Sequence, residues 1–239
     1  MCTLEKRGNI LYLTLTGEDE HRLNPELIGS IRSALAQAKS QAVNGSALIT
    51  TAHGKFFSNG FDLRYAQAAG SAQGAKDRLM NMVELFKPLV TDFISLPMPT
   101  IAAINGHAAA AGLMLAMCHD YVMMRSDKGV LYMSELDIGM TLPDYFTALI
   151  RSKISSAPAC RALVLRAMKI KGDEAVQMGI VDSIHANGEE AFKAAVQLGE
   201  DLAKKRWNRK AYSEIRKSLH PELCALLGIS DTVVVPSRL

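Results

Sequence analysis

Residues 105–120, NGHAAAAGLMLAMCHD, decide the fold: an Asn-Gly turn runs through four alanines into an apolar helix and leaves at a His-Asp pair. Read with residues 54–63, GKFFSNGFDL, they describe two backbone turns able to aim bare N–H groups at one oxyanion. The earlier segment ends an apolar strand and bends sharply at a glycine. The later one uses small residues, which let main chains approach closely. Donors placed where negative charge develops are usually the largest catalytic term, and losing one costs on the order of 10²–10³ in rate. The pair points to chemistry on a carbonyl.

Outward from these turns, strands alternate with helices. Ile10 to Thr16 (ILYLTLT) has the alternation and β-branching of a half-buried strand. Pro25 to Val43 carries Leu27, Ile28, Ile31, Leu35 and Ala38 at helical spacing, with Asn24 as N-cap and Pro25 at the first helical position. Ser46 to Thr51 reads as a buried strand, and Ala66 to Ala75, rich in Ala, Gly and Gln, as a mobile segment before a helix from about Asp77 to Leu96. After the breaker Leu96-Pro97-Met98-Pro99 come strands at Thr100 to Ile104 and Tyr121 to Met124. From Pro143 onward nearly all of the pattern is helical, with a short helix opened at Gly172 and ended at Gly179. The class is α/β with a helical C-terminal third.

Composition bounds the partners. The chain has 239 residues, 49% hydrophobic and 21% charged, enough for one large core. With 27 basic and 24 acidic residues the net charge is +3, too even for a nucleic-acid binder. Cys2, Cys118, Cys160 and Cys224 form no C-x-x-C pair, and His107 and His119 are not spaced as ligands, so no metal site is expected. His119 reads as structural and His107 as a candidate for pocket lining. The first ten residues lack the apolar stretch of a secretory signal, and Ala108 to Cys118 falls short of the roughly 20 residues of a membrane span. Ser237-Arg238-Leu239 matches the small-basic-leucine address read by a peroxisomal import receptor, which makes that receptor an expected partner and the peroxisome the expected location.

Four ordered blocks carry a resemblance: GKFFSNGFDL, INGHAAAAGLMLAMCHDYV (104–122), SELDIGMTLP (134–143) and A-x-x-x-G-[IL]-V-D at Ala175 to Asp182. Through them the chain resembles the crotonase, or enoyl-CoA hydratase/isomerase, superfamily over almost its whole length. The resemblance implies a spiral of ββα units with perpendicular sheets over residues 1–190 and a C-terminal helical region over residues 191–239. It further implies a coenzyme A thioester as substrate, no separate cofactor, and assembly as a homotrimer or hexamer. Carried over by position, the oxyanion donors are the amides of Phe61, directly after Gly60, and Ala111, seventh from Asn105. Many relatives have Gly where Ala111 stands, but a backbone donor does not depend on its side chain. Ser58, Asn59, Gly60, Asp62 and Leu63 along the first block, with Gly106, Gly112 and Met114 in the second, are the implied substrate contacts. Arg22 is implied for the pantetheine or nucleotide phosphates, while Lys204, Lys205 and Arg206 are weaker candidates.

Carboxylates decide between activities. Hydratases of this superfamily carry one Glu near the start of the second block's helix and another in the following E-x-x-x-G segment. Here Met114 fills the first place and Glu135 the second. A thioether cannot take a proton at neutral pH, so adding water loses one of its two acid/base groups. A single base suits a proton shuttle, in which a C3–C4 double bond moves into conjugation with the thioester. The implied role is that Glu135 takes a proton from C2 and returns it to C4 while the amides of Phe61 and Ala111 hold the dienolate. Apolar neighbours such as Met114, Met133 and Ile138 would raise the Glu135 pKa by desolvation. The alternatives are a dienoyl-CoA isomerase using Asp144 as a second carboxylate, an enoyl-CoA hydratase, and a non-catalytic acyl-CoA-binding scaffold.

Overall fold

Two strands open the chain, β1 (Cys2–Arg7) and β2 (Ile10–Leu15), paired antiparallel, in a computed structural model that describes residues 1–235. The address tripeptide Ser237-Arg238-Leu239 lies outside the described residues. Asn24 caps α1 (Pro25–Gln41) by accepting from the Leu27 amide, as the sequence predicts. Then β3 (Ala47–Ala52) leads to β4 (Phe56–Ser58), α2 (Leu63–Gln67) and α3 (Ala72–Ile94). The same order returns with β5 (Thr100–Ile104), β6 (His107–Ala109) and α4 (Ala111–Met117), and again with β7 (Tyr121–Arg125), β8 (Val130–Tyr132), a 3-10 turn at Leu136–Ile138 and α5 (Asp144–Lys153). There follow α6 (Ala157–Cys160), β9 (Ile170–Lys171), α7 (Gly172–Gln177), β10 (Ser183–His185), α8 (Gly188–Ala203), α9 (Arg209–Leu219) and α10 (Pro221–Leu227).

Each turn of this series gives one strand to each of two sheets. The larger sheet has the order β1-β2-β3-β5-β7-β10 and the smaller β4-β6-β8-β9. β3, β5 and β7 are parallel, as are β4, β6 and β8. This is the spiral of ββα units that the resemblance implies. Because side chains alternate across a strand, Leu48, Ala102 and Ile104 enter the main core with Leu11, Leu13 and Leu15 of β2, while Ile49, Ile101 and Ala103 face a second cluster. Helix α8 covers that second cluster through Ala195, and Gly199 sits against Ile49 and Ile101. Residues 190 and 191, the expected boundary, both lie within α8.

Two segments carry structure that the sequence reading did not give. The run 66–75 holds the end of α2, which is capped by Asp62, and the start of α3 at Ala72, where the Ser71 side chain accepts from the Gly74 amide. Within the alanine run, residues 107–109 form β6 and α4 begins only at Ala111. No helix of the described residues is long and apolar enough to cross a membrane.

A buried polar knot ties the C-terminal helices to this spiral. Asp120, just after α4, accepts from the Thr100 amide, the Tyr212 hydroxyl and Arg216 Nε at 2.6 Å. Arg216 also donates to the carbonyls of Leu96 and Met98. Burial pushes the Asp120 pKa up, but the Arg216 charge outweighs it and holds the carboxyl below its ordinary value. His119 is structural as expected: its Nδ1 lies 3.1 Å from the Leu115 and Ala116 carbonyls and its Nε2 2.7 Å from Thr50 Oγ1. Burial pulls its pKa down to about 4, so the ring is neutral.

Candidate active site

Gly60 is where the two turns meet. Its φ of 72° is a left-handed conformation, and a Cβ there would lie 3.0 Å from Ala110 Cβ, 3.1 Å from the Ala109 oxygen and 3.4 Å from the Ala111 nitrogen. Gly112 makes the second close approach, since its Cβ would fall 2.3 Å from the Ser58 carbonyl oxygen. Small residues therefore let the end of β4 lie directly on the junction of β6 and α4. Ala110 bends that junction with φ 51° and ψ −127°, a backbone state that costs a non-glycine residue about 1–3 kcal/mol. The bend leaves Ala111 as the first residue of α4, whose amide has no partner within the helix. Neither the Phe61 amide nor the Ala111 amide donates to a carbonyl among the described residues.

Phe61 is held from both sides. A backbone bridge joins it to Leu23, with the Leu23 amide donating to Gly60 at 2.8 Å and the Asp62 amide to Leu23 at 3.1 Å. Its ring lies over Phe146 at 6.3 Å and meets Phe86 edge-on at 5.7 Å, contacts worth about 0.5–1.5 kcal/mol each beyond their burial. The amide is thus fixed before any ligand arrives.

Beside these turns is a cavity of about 130 Å³. Three larger cavities, about 490, 660 and 480 Å³, lie elsewhere and are lined by neither Glu135 nor Phe61, so size does not mark the site. Arg22, Asn59 and Tyr132 give the small cavity a polar wall, and Leu63, Leu79, Ile138 and Met140 an apolar one. Glu20 ties the polar wall together, accepting from Arg22 at 2.6 Å and from Asn59 at 3.2 Å, while the Tyr132 hydroxyl donates to Asn59 at 3.4 Å. Glu135 joins the two walls, because it follows β8 and opens the 3-10 turn that carries Ile138.

Glu135 is 9% exposed, and its Oε2 has no hydrogen-bond partner among the described residues. Burial raises its pKa, and its own amide and that of Ser134 offset this only in part. A carboxyl group held this way can accept and return a proton more readily than a solvated one.

The remaining candidates are spread more widely. Ser58 is buried and donates to the His21 carbonyl, and Asp62 caps α2. Gly106 packs against the Lys55 carbonyl. Met114 is fully buried in α4 and does not reach the cavity wall. His107 lines the separate 660 Å³ cavity with Lys55, Arg125 and Lys171. Asp144 accepts from the Tyr145 amide at the start of α5 and is absent from the cavity wall, as are Lys204, Lys205 and Arg206. Tyr132, Leu79 and Met140 escape the sequence reading. Tyr132 reaches the wall because in β8 residues 130 and 132 share the face opposite buried Leu131, an alternation too short to read in three residues of sequence.

Known proteins are similar to this chain over most of its length. The enoyl-CoA hydratase/isomerase family profile matches residues 5–227. The Arabidopsis thaliana protein named peroxisomal enoyl-CoA delta isomerase 2 is 60% identical over 240 residues, covering 100% of both chains. The one named peroxisomal enoyl-CoA delta isomerase 1, from the same plant, is 49% identical over 93% of this chain and 91% of its own. Among solved structures, an enoyl-CoA isomerase of Mycobacterium tuberculosis superposes with a TM-score of 0.83 at 22% identity, covering 95% of this chain and 94% of that one.

Proposed function

From the premise that this chain belongs to the enoyl-CoA hydratase/isomerase family, we infer that it is an enoyl-CoA isomerase that moves the double bond of 3-enoyl-CoA thioesters to the 2-trans position. It acts in the peroxisome, in unsaturated fatty acid β-oxidation. The observation that carries the mechanism is that Glu135 supplies the one carboxyl group among the described residues of the cavity wall. Its carboxylate takes a proton from C2, the C–H electron pair delocalises onto the thioester oxygen, and the double bonds of the resulting dienolate span C1–C2 and C3–C4. The amides of Phe61 and Ala111 hold the oxyanion. The protonated Glu135 then delivers the same proton to C4, the C2–C3 double bond forms, and the carboxylate is restored. Atoms balance without a cofactor.

The walls fit this order of events. A polar wall of Arg22, Asn59 and Tyr132 suits the coenzyme A arm, an apolar wall suits the acyl chain, and the base stands where they join. A wall with one carboxyl group, and a thioether at residue 114 that cannot take a proton, support isomerisation over hydration. We further propose a homotrimer or hexamer, which light scattering on the purified protein tests. The activity is tested by offering 3-enoyl-CoA and 2-enoyl-CoA separately. Formation of conjugated 2-trans product at a rate exceeding hydration is the expected result, and hydration outrunning isomerisation would overturn the assignment. A 3,5-dienoyl-CoA offered to Asp144→Asn is expected to show no Asp144-dependent turnover.

A further inference from the structure

The apolar wall does not close over the site. Ile138, which lines the cavity, remains 55% exposed, and Leu136 on the same 3-10 turn is 56% exposed. The turn is pinned to the base, because the Glu135 carbonyl accepts from the Met140 amide at 2.8 Å and from the Ile138 amide at 3.3 Å. Leu79 of α3 and Met140 continue this surface. The cavity of about 130 Å³ falls below the roughly 300–1,000 Å³ in which a drug-sized ligand is enclosed. It has room for the reacting end of a thioester but not for a long tail. A chain that leaves the cavity on its apolar side meets the surface to which exposed Ile138 belongs.

Resting on the isomerase reading above, we propose that the acyl tail beyond the reacting carbons lies along an open lip formed by Leu79, Ile138 and Met140, and that Ile138 sets a preference for longer 3-enoyl thioesters. The lip is open at its outer end, so it ranks chains by the apolar surface they cover and does not exclude by length. Covering apolar surface is favourable in proportion to the area removed from water. Each added methylene that reaches the lip gains affinity until the lip is covered, after which further length adds nothing.

The test is a kcat/KM series for 3-hexenoyl-, 3-octenoyl-, 3-decenoyl- and 3-dodecenoyl-CoA with the native protein, Ile138→Ser and Ile138→Leu. The native protein is expected to favour decenoyl over hexenoyl thioester by roughly tenfold or more. Ile138→Ser is expected to lower that ratio by roughly 3- to 12-fold, the worth of covering the exposed half of one isoleucine, while Ile138→Leu keeps it. A flat length profile in the native protein, or a serine variant that loses activity equally at every length, overturns the lip. Absence of isomerisation at every length would instead overturn the isomerase reading, so the two failures are distinct. Thermal melting of both variants at the native temperature excludes unfolding, as the exposed site leads one to expect.

Discussion

Replacing Glu135 by Gln removes the proposed base while keeping its shape, and the structure sets how the loss should divide. The amides of Phe61 and Ala111 and both cavity walls stay in place, so substrate binding changes little and KM is expected to stay within about threefold. Turnover loses general acid–base catalysis in both proton transfers, an effect of about 10²–10⁴-fold, or roughly 2.7–5.4 kcal/mol of barrier. Stability moves the other way. The raised pKa means that the folded protein holds a proton on this group more readily than the unfolded chain does. Its ionisation therefore costs stability as pH rises above the unfolded-state pKa, and the cost is complete once pH exceeds the folded-state value. Gln carries no such cost, so the variant should melt no lower than the native protein at pH 8, and its advantage should shrink toward pH 4. The assays are the appearance of conjugated 2-enoyl-CoA under saturating 3-enoyl-CoA and thermal melting at the two pH values. Native-like kcat in the variant, or a loss expressed wholly in KM, would refute the assignment of Glu135 as the base.

Other perturbations test the frame around it. The acid limb of kcat should lie above the ordinary glutamate value of about 4.3, because the base works only when ionised and burial raises its pKa; a limb at or below that value in a pH-rate profile contradicts the buried setting. Gly60→Ala places a methyl 3.0 Å from Ala110 Cβ at a left-handed φ, so kcat should fall at least about tenfold as the two donor turns separate, measured by steady-state kinetics on protein shown to be folded by circular dichroism. Asp120→Asn strands the Arg216 guanidinium, whose side chain is 3% exposed, without its counter-charge; urea unfolding should show a loss of about 3–5 kcal/mol, and a loss under 1 kcal/mol would contradict the buried pair.

How far the fold was legible depended on element length. The alternation at Ile10, the cap at Asn24-Pro25 and the strand at Thr100 were read at nearly their observed bounds, because each spans enough residues for a period to show. The smaller sheet was not read, since β4, β6 and β8 are three residues each. β1 was masked by Glu5, Lys6 and Arg7, which face solvent on an edge strand that pairs on one side only. The alanine run reads in sequence only as a lead into a helix, yet Ala108 pairs with Ser58 and Leu131 and Ala109 with Tyr132, which propensity cannot reveal.

What the amino-acid order determined alone was residue type and order: Glu135 in SELDIG, Met114 in the alanine block, and two turns of small residues. That these places hold the base, the position of a hydratase's second carboxylate and the oxyanion donors is what the family resemblance implies. Tertiary structure decided which named residues share a wall. Arg22, Asn59 and Leu63 line the cavity while Ser58 and Met114 are sealed in the core, and Tyr132 and Ile138 flank the base from opposite sides along the chain. The reason is that the cavity exists only where residue 60 lies on residue 110, a contact between segments fifty residues apart that neither segment encodes by itself.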